Sequence, residues 1–232
     1  WAPLIAGLAM INVLYAAYIA LVQKDLKYII GYSSVSHMGY VLLGFAALNV
    51  VSVTGAVANM VAHGIMASLF FSQIGYIYER THLRSIPELA GLAHHLPRLT
   101  VGFMLAGLAS VGLPGLIEFV PEFTIFVGTL SVYPVFAVLA IAGIVFTALY
   151  ILRMLAKVLF GGKKGGKTKK IEDVKLPGFM SIFNENMVAT TLIMTLFFGV
   201  ILIALGSDYL HEKKLMGPND NYLFFIMLTA MK

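Results

Sequence analysis

Apolar residues run through this chain in blocks of about twenty, separated by short polar joins. Runs long enough to cross a bilayer occupy residues 2–22, 28–48, 52–78, 99–131, 133–159 and 188–206. The runs are continuously apolar, which argues against a transmembrane barrel with its alternating strands. The pattern predicts an all-α polytopic membrane protein with about six transmembrane helices. The fourth run is too long for one straight crossing. It holds Pro114 and Pro121, with Gly112 and Gly115 beside the first. Proline removes a backbone donor and clashes with the preceding turn, so this helix is expected to break near Leu113–Pro121.

The joins alternate in charge. Those after the first, third and fifth runs carry Lys24, Lys27, Arg80, Arg84, Arg98, Lys163, Lys164, Lys167, Lys169 and Lys170. The joins after the second and fourth, Asn49–Val51 and Ser131–Tyr133, carry none. With Arg153, Lys157 and Lys175, 13 of the 16 basic residues fall on one side. The positive-inside rule makes that side cytoplasmic, so the first helix is expected to start outside and the sixth to end there. Residues 1–160 read as a five-helix unit, 161–187 as a basic cytoplasmic linker, 188–206 as a final helix and 207–232 as a tail. The apolar stretch 222–231 is too short to span. Trp1 opens the chain without a charged leader, so no signal peptide is expected, and the chain reads as part of a longer membrane protein.

Composition narrows the function. The chain is 59% hydrophobic and 12% charged, with mean hydropathy +0.89; soluble domains carry about 25% charged residues. The net charge of +5 suits a membrane surface, and nucleic acid is not an expected partner. Cysteine is absent, which excludes disulfides and cysteine-ligated iron–sulfur clusters within this chain. No Walker, dinucleotide or metal-spacing motif occurs, and no cofactor is expected in this chain.

Ionisable residues inside the apolar runs carry the chemistry. A charge at the bilayer centre costs about 2.5–3.5 kcal/mol on insertion scales and marks ion or proton pathways. Lys27 lies near the basic end of the second run and His37 ten residues on, about 15 Å deeper along a helix. Ser33, Ser34 and Ser36 precede His37 and could hydrogen-bond or order water. His63 sits near the centre of the third run, and imidazole can take up and release a proton near neutral pH. Glu122 follows the proline–glycine break, with Glu118 four residues earlier. Broken helices expose backbone polar groups that orient ions and water. The alternatives are a snorkelling lysine, packing histidines and carboxylates satisfied at a helix end. A haem held by His37 and His63 would leave Lys27 and Glu122 unexplained.

These residues fall within recognisable motifs. Asp25-Leu26-Lys27, Tyr32 through Gly39 (YSSVSHMG), Ala62-His63-Gly64, Tyr78 through His82 (YERTH), Leu113-Pro114-Gly115 and Glu122-Phe123 resemble, in order, the antiporter-like subunits of respiratory complex I. The closest type is the subunit M (mitochondrial chain 4) class of NADH-quinone oxidoreductase, over residues 1 to about 206. The resemblance implies a fourteen-helix subunit of two inverted five-helix repeats. This chain would hold helices nine to fourteen and the second inverted repeat of the NADH-quinone oxidoreductase/Mrp antiporter fold, an assignment that agrees with the outside start and end. It further implies that Lys27 is the lysine of the second half-channel, that His37 and His63 are relay histidines, and that Glu122 is the carboxylate on the broken helix. The L and N types carry lysine at that last position. The implied partners are the lipid bilayer and other membrane subunits of complex I, in a prokaryotic plasma membrane or an organellar inner membrane. This chain departs from the pattern at Ile117 and Glu118, where the family usually has glycine and asparagine, and at Pro121, where it has glycine. The expected function is proton translocation coupled to electron transfer in other subunits, with no bond chemistry in this chain. The alternatives are an Mrp-type cation/proton antiporter, a membrane-bound hydrogenase subunit or a structural scaffold.

Overall fold

The computed structural model describes residues 1–94 and 96–161. Six α-helices follow in order: α1 (Ala2–Val22), α2 (Leu26–Ala46), α3 (Val50–Thr81), α4 (Pro97–Ser110), α5 (Phe119–Leu130) and α6 (Pro134–Phe160). A single 3-10 turn, Leu92–His94, precedes α4. By length and composition α1, α2, α6 and the stretch Val50–Glu79 of α3 can each cross a membrane. At 1.5 Å per residue, α1 and α2 each rise about 31 Å, the thickness of a hydrocarbon core. The linker beyond Gly161, the sixth expected span at 188–206 and the tail lie outside the described residues.

Local chemistry sets the helix starts. Pro3, Pro97 and Pro134 occupy the first two positions of α1, α4 and α6, where a missing N–H costs nothing and φ is already helical. Asp25 caps α2 by accepting from the Lys27 N–H at 2.8 Å. Asn49 caps α3 by accepting from the Ser52 N–H at 2.9 Å; its amide also donates to the Gly128 carbonyl at 2.8 Å. One side chain thus ends one helix and ties it to another.

The fourth apolar run is two half-helices. The 14 residues of α4 and the 12 of α5 each rise about half a bilayer. The break runs from Val111 to Glu118, slightly earlier than the sequence suggests. Gly112 and Gly115 turn the chain there at φ +72° and +92°, a backbone region that other residues enter only with strain. Pro121 does not make the break: it lies buried in the first turn of α5, where its absent N–H is one that lacks a helical partner anyway.

α2 is central, packed against α1, α3, α5 and α6. α5 crosses α3 so closely that a Cβ on Gly128 would stand 2.5 Å from the Ser52 nitrogen. Small residues allow this backbone approach where lipid supplies no hydrophobic drive between helices. The buried apolar side chains form two clusters. One, at the basic end, includes Leu26, Ile30, Phe70, Phe103 and Ile151. The other, at the uncharged end, includes Val13, Tyr40, Leu43 and Ile125. The buried ionisable residues lie between them along each helix.

Candidate functional site

α2 reaches the site with its orientation fixed from behind. Ser36 Oγ donates to the Val13 carbonyl at 2.9 Å, and Asn12 donates to the Val35 carbonyl at 2.9 Å. A Cβ on Gly39 would stand 2.6 Å from the Val13 side chain, so α1 and α2 pack almost backbone to backbone. These contacts leave His37, 1% exposed, facing α5.

There it meets the broken helix. His37 Nδ1 lies 2.9 Å from Glu122 Oε1, and its Nε2 lies 3.3 Å from Ser110 Oγ on α4. His63 Nδ1 lies 2.8 Å from Glu118 Oε1. The two imidazoles stack with centroids 5.1 Å apart and planes 28° from parallel. The other Glu118 oxygen is 4.0 Å from His37 Nδ1. The order in space is therefore Glu122, His37, Glu118, His63, a buried line in which each carboxylate meets an imidazole. A buried charge is tolerated only with such partners.

The break makes the line possible. Glu118 is the N-cap residue of α5 and Glu122 lies in its first turn, where the helix dipole favours negative charge. The Glu122 N–H donates to the Glu118 carbonyl at 3.2 Å, so the turn between the carboxylates is intact and both share a face. Gly112 presses on Glu122: a Cβ there would stand 2.9 Å from Oε2. Two atoms of the line, His63 Nε2 and Glu118 Oε2, are buried without a hydrogen-bond partner among the described residues. Tyr40 meets His37 edge-on at 5.9 Å.

Of the residues singled out in the sequence, His37, His63, Glu118 and Glu122 come together and Lys27 does not. Lys27 is exposed in the first turn of α2. Sequence reading did not find Ser110, Gly112 as a contact of Glu122, or Tyr150, whose hydroxyl donates to Ser33 Oγ at 2.8 Å. The only hint of the first two was their position at the lip of the proline–glycine break. The loop residues His82 and His94 are exposed.

Fold and site together define a helical membrane protein with a line of ionisable groups at its centre. The sequence profile described as NADH:quinone oxidoreductase/Mrp antiporter, transmembrane, matches residues 1–147, and the chain belongs to this family. A second profile, that of the PTS system sugar-specific permease component, matches residues 99–232, mostly beyond the described residues. Named relatives accord with the first. F(420)H(2) dehydrogenase subunit M of Methanosarcina mazei is 41% identical over 193 residues, 83% of this chain and 38% of the relative. NADH-quinone oxidoreductase subunit M of Rickettsia prowazekii is 35% identical over 194 residues, 84% of this chain and 38% of the relative. Respiratory complex I from Thermus thermophilus contains a chain that superposes with TM-score 0.74 at 28% identity, covering 86% of this chain and 40% of that one. The chain thus spans well under half the length of these proteins.

Proposed function

We propose that this chain is the second half of a proton-translocating membrane subunit of an NADH-quinone oxidoreductase type complex. Redox energy released in other subunits would move protons along Glu122, His37, Glu118 and His63. The observation that carries the reading is the alternation of carboxylate and imidazole in a buried line between two apolar clusters. A proton can pass from carboxylic acid to imidazole to carboxylate without any group holding an isolated buried charge. Two protonated imidazoles 5.1 Å apart would repel by about 3 kcal/mol at an effective dielectric of 20, so protons would pass one at a time. Lys27, which the resemblance makes the lysine of the half-channel, lies outside this line, about 15 Å along α2 from His37.

The test is proton uptake by vesicles containing the parent complex, wild type against Glu122→Gln, normalised to electron-transfer rate, with and without sodium. Loss of acidification per electron, independent of sodium, is expected. An unchanged proton-to-electron ratio would sink the assignment. Sodium-dependent exchange that needs no electron transfer would move it to an Mrp-type antiporter, the other activity in the family's description.

A further inference from the structure

A cavity of about 550 Å³ opens at the basic end of the bundle, with Lys24, Ile29, Tyr150, Arg153 and Lys157 among its lining residues. Lys24, Arg153 and Lys157 are the charged residues of a mostly apolar lining. Tyr150 lies seven residues before Lys157, about 10 Å deeper, and is itself 2% exposed. From the cavity wall its hydroxyl donates to Ser33 Oγ at 2.8 Å and lies 3.5 Å from Thr147 Oγ1. Ser33, also buried, is one helical turn from His37 on the same face of α2. A row of hydroxyls thus leads from an open cavity toward the His37–Glu122 pair.

We propose that this cavity is the aqueous inlet of the line, and that Tyr150 and Ser33 hand protons from it to His37. The inference rests on the proton-translocation reading. In the step, a water in the cavity gives a proton to the Tyr150 oxygen and leaves as hydroxide, while the phenolic proton passes to Ser33 Oγ. Ser33 releases its own proton toward His37 through an intervening water. Each hydroxyl gains one proton and loses one, so neither is left charged. The rim supports the same solute. Lys24, Arg153 and Lys157 form no ion pair among the described residues, and a mouth of one sign repels like charge. Sodium would have to pass these cations as an ion, whereas a proton drawn from a water inside the mouth leaves hydroxide, which they attract.

Vesicles containing the parent complex, assayed for proton uptake per electron, test this with variants that keep shape. Tyr150→Phe and Ser33→Ala are each expected to lower the ratio roughly tenfold, less than the full loss of a general acid or base because water can partly replace a hydroxyl. The double variant should lose little more, since both act in one path. Ser33→Thr, which retains a hydroxyl, should restore the ratio. Unchanged ratios in Tyr150→Phe and Ser33→Ala, with loss in Glu122→Gln, would overturn the inlet and leave the central line standing. Unchanged ratios in all three would overturn both. A lower yield of assembled complex with an unchanged ratio would reduce the hydroxyl pair to packing and overturn the inlet.

Discussion

The two imidazole–carboxylate pairs of the central line have nearly the same length and different surroundings. His37 is held on both ring nitrogens, by Glu122 at 2.9 Å and Ser110 at 3.3 Å. Gly112 closes against the far oxygen of its carboxylate. Among the described residues His63 is held on one side only, by Glu118 at 2.8 Å, and each member of that pair keeps one buried atom without a hydrogen-bond partner. The first pair is held rigidly, as the proposed relay requires. The second has unused hydrogen-bonding capacity, which in a polar site is where water binds. In the proposed pathway, a rigid pair beside an open one would give a proton a place to wait and a place to leave.

Substitutions can separate the two. The largest effect is expected from Glu122→Gln, which removes the carboxylate of the rigid pair and should lower protons moved per electron by about tenfold or more; vesicle acidification reads it directly. Glu118→Gln should act less strongly, roughly threefold, because water can enter the open pair and carry part of the transfer. Equal losses in the two variants would show that the pairs are equivalent. Gly112→Ala adds a methyl group against Glu122 at a left-handed backbone position. It should cost about 1–3 kcal/mol, measured as a lower unfolding temperature of the complex. Ser110→Ala, which removes the hydroxyl paired with His37, should cost about 0.5–1.5 kcal/mol in the same measurement. Asn49→Ala removes the cap of α3 and its tie to α5, the two helices that carry the open pair. A comparable cost of about 1 kcal/mol is expected, with the Glu122-dependent part of transport retained.

The parts legible in the sequence were those that violate a local rule. A histidine or glutamate inside twenty apolar residues stands out without any neighbour, so His37, His63 and Glu122 could be read singly. Glu118 could be read as their companion from its four-residue offset. The first five apolar runs and the existence of a break followed from run length and from Pro114 with its glycines. Pro121 misled because the same residue that breaks a helix interior is harmless in a first turn, and only the position of α5 decides which applies. Ser110 and Tyr150 stayed hidden for another reason. Serine and tyrosine are ordinary in membrane helices, and each gains meaning only from a partner 73 or 117 residues away. No spacing in the chain reveals that adjacency.

The two apolar clusters also act as an electrical element. Moving one charge through a membrane potential of 100 mV is worth about 2.3 kcal/mol, and that work is done wherever the field is steepest. If the proposed inlet fills with water, it shorts out part of the thickness, while the buried apolar layer of Val13, Tyr40, Leu43 and Ile125 is left as insulation. Most of the voltage would then fall across that layer. Protonation of the line from the cavity would be almost indifferent to membrane potential, and the departing step would carry nearly the whole electrical load.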